Sequence, residues 1–176
     1  MKKIIFLDFD GVINNWYTPK DIKVDYENVL VLKKIIDITK AKIVATTSNK
    51  RSFQTGLCEI ERSNYYKYVK GLKEYGIDIY DVTPLGKNRE EEILMYLKAN
   101  PNITHFLIID DDYIFKSFKN HQVYLDLYNG LKKEHIIPSI NILNNKLGFY
   151  PPNYNCNETF EQKLIRINKH YNNQSL

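Results

Sequence analysis

The sequence has 176 residues and a mass of 20.9 kDa, which suits one domain with a single hydrophobic core and is cramped for two. Its 25 basic and 21 acidic residues give a net charge of +4. This balance is too mild to identify a nucleic-acid-binding protein, but it is compatible with a polyanionic substrate. The two distant cysteines, Cys58 and Cys156, suggest neither a disulfide framework nor a zinc site. No apolar run approaches the roughly 20 residues of a membrane span, so we expect a cytoplasmic protein without membrane contact.

Strand-like and helix-like stretches alternate along most of the chain. Apolar runs predict strands, and amphipathic spacing after a capping residue predicts helices. Such alternation is typical of an α/β fold in which a parallel sheet is covered by helices on both faces. The predicted strands span residues 4–7, 42–46, 77–82, 105–109 and 123–125; the predicted helices span 29–38, one or two segments within 52–75, and 88–100.

The alternation stops near Pro138, where the sequence becomes rich in asparagine and is interrupted by Pro151 and Pro152. Four later apolar residues still fall at helical spacing, which predicts an amphipathic helix docked on the body or on a partner. We therefore divide the chain into a main domain over residues 1–137 and an extension over 138–176. The four apolar residues are Phe160, Leu164, Ile167 and Tyr171.

A pair of acids ends the first predicted strand. Residues 4–7 are apolar, and Asp8, Asp10 and Gly11 follow almost at once. A buried strand would place both carboxylates at its carboxyl end, where open α/β sheets bind their ligands. Two acids at a strand tip are costly to hold unless a cation neutralises them. Mg²⁺ is the expected cation.

The second predicted strand ends in hydroxyl groups. Thr46, Thr47 and Ser48 complete or follow it, so hydroxyl and backbone N–H donors would lie exposed where the chain turns. Threonine also favours strands and serine favours turns. Taken alone, the segment is therefore also typical of an ordinary strand end.

Two later segments carry charges that call for counter-ions. Lys87 and Arg89 lie at or just before a predicted helix start, where the helix dipole opposes a cation, so each requires a nearby anion. Asp110, Asp111 and Asp112 follow the strand at residues 105–109, and clustered acids again favour a bound cation. Solvated side chains explain either segment when it is considered alone.

Together these segments resemble the four motifs of the haloacid dehalogenase (HAD) superfamily, and more narrowly the HAD domain of Swiss Army Knife RNA-repair proteins. The first motif of that superfamily is an apolar strand followed by Asp-x-Asp-Gly, which Asp8 to Gly11 resembles. The order and strand context of the other segments agree with the pattern up to Asp112. The narrower resemblance is carried by residues 43–51, Thr83-Pro84 before Arg89, residues 109–112, and Gly130-Leu131.

The resemblance implies a three-layer Rossmann-like α/β fold with a minimal cap domain or none, because residues 14–41 and 52–82 leave little room for one. It implies a Mg²⁺-dependent phosphomonoester hydrolase that forms an aspartyl phosphate. Asp8 would be the nucleophile and Asp10 the general acid and base. The implied metal ligands are Asp8, Asp10, Asp110 and Asp111. Thr47 or Thr46 would bind the phosphate together with Ser48 and Gly11. The basic catalytic residue that stabilises the nucleophile and the phosphate would be Lys87 or Arg89.

The substrate remains open between several classes. An uncapped site suits a nucleotide, a phosphorylated protein or a polynucleotide end, and the RNA-repair resemblance favours the polynucleotide end. Trp16, Tyr17 and Lys20 would then stack on and steer the substrate, or they simply form a loop packed on the core. The alternatives are a small-metabolite phosphatase with residues 52–75 as a miniature cap, and a non-enzymatic phosphoacceptor domain. The oligomeric state is left open.

Overall fold

Five parallel strands form the centre of the molecule. The computed structural model describes residues 2–111, 116–126 and 128–144. The strands are β1 (Lys2–Leu7), β2 (Lys42–Ala45), β3 (Ile79–Val82), β4 (Ile103–Asp110) and β5 (Gln122–Tyr124). They lie side by side in the order β3-β2-β1-β4-β5, and every pair is parallel. The predicted parallel sheet is therefore confirmed.

Helices connect the strands, and two of them begin at the capping residues that the sequence predicts. The Asp25 side chain accepts a hydrogen bond from the Asn28 N–H (3.1 Å), and the Asn88 side chain accepts one from the Glu91 N–H (2.9 Å). No helix among the described residues is long and apolar enough to cross a bilayer. The helices are α1 (Tyr26–Thr39), α2 (Arg51–Gln54), α3 (Asn64–Glu74), α4 (Arg89–Ala99) and α5 (Ile136–Leu143), with 3-10 turns at Ser48–Lys50, Ile60–Arg62, Lys116–His121 and Lys133–His135.

The sheet is buried on both faces, as a three-layer fold requires. All four apolar residues from Ile4 to Leu7 are fully buried. Ile5 and Leu7 pack in the larger core with α1, α3 and α5, whereas Ile4 and Phe6 pack in a second core with α4. Removing each such side chain from water contributes about 1.5–3 kcal/mol. Because β1 is covered on both sides, only its ends reach solvent.

The register of the central strands determines where the functional groups lie. Leu7 pairs with Ala45 of β2 and with Ile109 of β4. The Asp8 N–H donates to the Ile109 carbonyl (3.0 Å), and the Thr46 N–H donates to the Leu7 carbonyl (2.9 Å). The residues that follow β1, β2 and β4 are therefore neighbours along one edge of the sheet.

The intervals on either side of β2 are short. Between β1 and β2 lie a loop and α1, and between β2 and β3 lie α2, α3 and short turns, so these described intervals contain no inserted domain. Helix α5 crosses the predicted domain boundary at residues 137/138, and its Ile142 and Leu143 are buried in the larger core. The predicted helix at Phe160 to Tyr171 lies outside the described residues.

Candidate active site

Three carboxyl groups converge at the carboxyl edge of the sheet. Asp8 follows β1, Asp110 ends β4, and Asp111 is the next residue. One oxygen from each of the three lies within 4.8 Å of the other two. Asp8 is 6% exposed and Asp110 is fully buried. The structure thus brings together three of the four predicted metal ligands through their carboxylates; Asp112 lies outside the described residues.

Arg89 is the cation that faces these acids. Its Nη1 lies 3.1 Å from Asp8 Oδ2 and 2.8 Å from Asp110 Oδ2. As the first residue of α4 it opposes the helix dipole, and the two carboxylates provide the compensating charge. Lys87 differs, because its side chain is exposed and its backbone N–H donates to Glu91 (2.6 Å). Of the two predicted cations, the structure brings Arg89 to the acids.

The electrostatics of this cluster favour an additional cation. Burial raises the pKa of the Asp8 carboxyl, and the Arg89 charge together with hydrogen bonds from the Phe9 backbone and Thr47 opposes that rise. Three carboxyl groups that share a largely buried space favour a bound cation, and Arg89 contacts two of them. Carboxylate oxygens are the ligands that Mg²⁺ prefers. The residues present therefore fit a divalent metal ion.

Asp10 lies beside the cluster, and its carboxylate is held separately. Tyr68 of α3 donates its hydroxyl to Asp10 Oδ1, and Asn49 Nδ2 donates to Asp10 Oδ2 at 2.7 Å. Asn14 Nδ2 adds a longer bond to Oδ1 (3.3 Å). Asp10 is exposed, unlike Asp8. Its carboxylate is not part of the three-carboxylate group.

The predicted phosphate-binding residues occupy different environments. The Thr47 hydroxyl is buried beside Asp8 and accepts hydrogen bonds from the Asn49 backbone and side-chain N–H groups (3.3 and 3.2 Å). Thr46 is fully buried, and its Oγ1 has no hydrogen-bond partner among the residues that the structure describes. Ser48 is exposed at the start of a 3-10 turn. Gly11 has a φ of +71°, and its N–H donates to Asn14 Oδ1 (2.8 Å).

The sequence analysis missed a buried lysine that supports the site. Lys50 is 1% exposed and forms an ion pair with Glu92 of α4 (2.6 Å). Its ammonium group also donates to the Thr83 hydroxyl and to the Pro84 carbonyl (3.3 Å). Burial lowers the pKa of Lys50, whereas Glu92 counteracts this shift. Lys50 therefore joins the ends of β2 and β3 to the first turn of α4, where Arg89 lies.

A second missed network fixes the loop that carries Asp10. Asn28 of α1 is fully buried, and its Nδ2 donates to the carbonyls of Val12 (3.1 Å), Asn14 (3.3 Å) and Asn129 (3.3 Å). Gly130 lies against this amide with a φ of +64°. A Cβ at Gly130 would lie 2.0 Å from Asn28 Nδ2. Only glycine fits there, which gives a physical reason for the Gly130-Leu131 pair noted in the sequence.

The five-stranded parallel sheet with helices on both faces is a Rossmann-like α/β fold, which is consistent with a domain of the haloacid dehalogenase type. The family described as the HAD domain in Swiss Army Knife RNA repair proteins matches residues 4–136, and the chain belongs to this family. No significant match was found among curated proteins or among solved structures. The resemblance inferred from the sequence motifs is therefore confirmed at the level of the family.

Proposed function

We propose that the chain is a Mg²⁺-dependent phosphomonoester hydrolase that forms an aspartyl phosphate on Asp8 and acts on polynucleotide ends. The observation that carries this proposal is the meeting of Asp8, Asp110 and Asp111 within 4.8 Å, with Arg89 in contact with two of them. Phosphoryl transfer depends mainly on positioning and charge neutralisation. This cluster would supply both at one edge of the sheet.

Asp8 is the proposed nucleophile. One carboxylate oxygen of Asp8 attacks phosphorus, a new P–O bond forms, and the bond from phosphorus to the leaving oxygen breaks. Arg89 binds Asp8 Oδ2 at 3.1 Å and favours the ionised, reactive form of the carboxyl. Water then attacks the phosphorus of the aspartyl phosphate, which releases inorganic phosphate and restores the Asp8 carboxylate.

Asp10 is the proposed general acid and base. It protonates the leaving alkoxide in the first step and takes a proton from the attacking water in the second. Tyr68 and Asn49 fix its carboxylate by hydrogen bonds while leaving the residue exposed to a substrate. General acid–base catalysis of this kind contributes about 10²–10⁴-fold.

Asp8, Asp110 and Asp111 are the proposed side-chain ligands of Mg²⁺, together with the backbone carbonyl of Asp10. The bound ion would neutralise charge on the phosphoryl oxygens. Thr47, buried beside Asp8, is the proposed hydroxyl donor to the transferring group, with backbone N–H groups around Ser48 and Gly11 as further donors. Arg89 neutralises the remaining negative charge from its position between Asp8 and Asp110.

The openness of the site supports a large substrate. Asp10 is exposed, and the described intervals on either side of β2 contain no inserted domain to enclose a small metabolite. The matched family is described by its occurrence in RNA repair proteins, which favours the phosphorylated end of a polynucleotide. A small-metabolite phosphatase remains the alternative that a substrate comparison separates.

A substrate panel tests this function. Phosphate release would be measured for p-nitrophenyl phosphate, nucleoside monophosphates, sugar phosphates, and oligonucleotides phosphorylated at the 3′ or the 5′ end, with Mg²⁺ or with EDTA. We expect release that requires Mg²⁺ and is most efficient on one class of oligonucleotide end. Asp8→Asn should reduce it by at least about 10³-fold.

Asp37→Asn is the matched control, because Asp37 is an exposed acid of α1 and the substitution makes the same chemical change. It should retain wild-type turnover. Phosphate release in EDTA at the Mg²⁺ rate, or equal turnover by wild type and Asp8→Asn, would contradict the proposal. A stable phosphoprotein without turnover would favour the phosphoacceptor alternative.

A further inference from the structure

A lysine-rich groove lies beside the site, between the loop that follows β1 and helix α3. Its volume is about 580 Å³. Lys20 and Lys23 line it from the loop, and Lys67 and Lys70 line it from α3. Lys67 and Lys70 are three residues apart on the helix, so their side chains lie on neighbouring positions of one face. The four cations thus share one concave surface.

Tyr68 lies between a lysine of the groove and Asp10. The Lys23 ammonium lies 5.7 Å from the centre of the Tyr68 ring, and the Tyr68 hydroxyl donates to Asp10. The ring of Tyr68 also packs on Phe9, the residue between Asp8 and Asp10. Lys23 is therefore the groove lysine that Tyr68 connects to Asp10.

The groove has a net positive charge. Asp21 and Glu74 also line it, so the lysines outnumber the acids two to one. Within the described residues, none of the four lysines forms an ion pair with an acid. Such a groove attracts a polyanion, and its attraction weakens as salt rises.

The chemistry of the candidate active site indicates which kind of polyanion the groove binds. A chain that presents its terminal phosphate to Asp8 and carries further phosphates at regular intervals would meet the groove with those phosphates. The loop also carries Trp16 and Tyr17, which are 60% and 61% exposed and offer faces on which bases can stack. A single-stranded polynucleotide supplies a phosphorylated end for Asp8, further phosphates for the lysines and bases for these rings, so it fits the surface best.

We propose that the groove formed by Lys20, Lys23, Lys67 and Lys70 binds the backbone of a single-stranded polynucleotide whose phosphorylated end is in the active site. This inference rests on the proposed function for the identity of the end group. In this proposal the loop and α3 have a new role, because they bind a long substrate more tightly than a short one.

A second lysine cluster provides a matched control. Lys2, Lys3, Lys40 and Lys42 line a hollow with the same volume of about 580 Å³. These residues lie at or near the amino ends of β1 and β2, the opposite edge of the sheet from Asp8. Changing either set of four lysines to glutamine alters the net charge equally, so the comparison separates a local binding surface from general electrostatic attraction.

The test compares the two quadruple variants with wild type on a phosphorylated single-stranded dodecamer, a phosphorylated dinucleotide and p-nitrophenyl phosphate. We expect the groove variant to lower the ratio of kcat/KM on the dodecamer to kcat/KM on p-nitrophenyl phosphate by about tenfold. The control variant should keep this ratio within about twofold. The salt slope for the dodecamer should weaken by about 0.7 for each phosphate that the groove variant no longer binds.

Binding is measured in parallel, by fluorescence anisotropy of a labelled dodecamer, so that the result does not depend on turnover. Weaker binding by the groove variant, with unchanged binding by the control variant, supports the proposed groove. A lack of hydrolysis by the wild-type protein would instead reject the proposed function. Equal effects of the two variants, or no effect of either, would overturn the proposal that the groove binds the polynucleotide. If Lys23→Gln disturbs folding, the triple variant that keeps Lys23 is compared with a triple control variant that keeps Lys42, so that both lose the same charge.

Discussion

At the residue scale, the hydroxyl of Tyr68 has a role that can be isolated from the packing of its ring. Tyr68→Phe keeps the ring on Phe9 and removes the donor to Asp10, while Asn49 still binds the other oxygen. Hydrogen bonds to charged groups contribute about 1.5–3 kcal/mol. We expect kcat on p-nitrophenyl phosphate to fall about tenfold, with KM nearly constant.

Tyr65→Phe is the matched control for this substitution. Tyr65 is also a buried tyrosine of α3 that packs on Phe9, but Tyr68 is the one of the two that donates to Asp10. Steady-state kinetics of the two variants should therefore differ. Equal losses of kcat would mean that α3 acts only through packing.

Gly130 permits a test of the loop that holds Asp10. In Gly130→Ala, the added methyl group would meet the Asn28 amide at 2.0 Å and the Asn14 carbonyl at 2.7 Å, on a backbone with positive φ. We expect a loss of about 2–4 kcal/mol in the free energy of unfolding, measured by urea denaturation. Gly56→Ala is the comparison, because Gly56 has a similar φ of +75° but open space around it. A loss no greater than that of Gly56→Ala would contradict the steric argument.

At the element scale, the pair formed by Lys50 and Glu92 joins the ends of β2 and β3 to α4. Lys50→Met alone should destabilise the fold by about 3–5 kcal/mol, because it leaves Glu92 buried without its partner. The double variant Lys50→Met/Glu92→Leu should recover most of that loss, since apolar replacement of a buried ion pair is often neutral. Thermal and urea unfolding measure both effects.

The same double variant shows whether the pair also positions Arg89. Arg89 begins the turn of α4 that Glu92 completes, and its contacts with Asp8 and Asp110 depend on the placement of that turn. We expect a stable double variant with a kcat reduced about tenfold. A double variant with both wild-type stability and wild-type kcat would show that the pair does not position Arg89.

The elements that the sequence predicts are those with local signals. The strand at residues 4–7 and the helices begun by Asp25 and Asn88 follow from short apolar runs and capping side chains. The approach of Asp8 to Asp110 follows as well, because the carboxyl ends of parallel strands meet at one edge. The strand and helix predictions need only the residues next to each element, and the approach of Asp8 to Asp110 needs only the parallel arrangement of the strands.

The supporting contacts carry no such signal. Lys50 pairs with Glu92 across 42 positions of sequence, and Tyr68 binds Asp10 across 58. Glu92 resembles an ordinary acid in the first turn of a helix, and Tyr68 is one of 14 tyrosines. For the same reason the sequence does not determine whether Lys87 or Arg89 faces the acids. Both lie at or near the start of α4, and the packing of α4 on the sheet places Arg89 against them.

At the scale of the whole molecule, His135 couples stability to pH. Burial lowers its pKa, with Glu134 opposing the shift, and its Nδ1 accepts a hydrogen bond from the Lys132 N–H (2.9 Å). The fold therefore favours the neutral ring, whereas the unfolded chain takes up a proton near pH 6.5. This contribution to stability is present above about pH 6.5 and is lost as pH falls.

Urea unfolding at about pH 7.5 and about pH 5.5 measures this coupling. The free energy of unfolding should be lower at the acidic pH, and His135→Gln should reduce the difference between the two values. An undiminished difference in His135→Gln would assign the pH dependence to other groups.

The identity of the phosphorylated residue tests the central claim most directly. Asp10→Asn should remove the base that activates water, while p-nitrophenolate leaves without needing a proton, so the phosphoenzyme should accumulate. Acid quenching during turnover with p-nitrophenyl phosphate and Mg²⁺, followed by peptide mass mapping, locates the phosphoryl group. The account predicts one phosphoryl group on Asp8, and none when Asp8→Asn is added. A phosphoryl group on another residue, or accumulation that persists with Asp8→Asn, would contradict it.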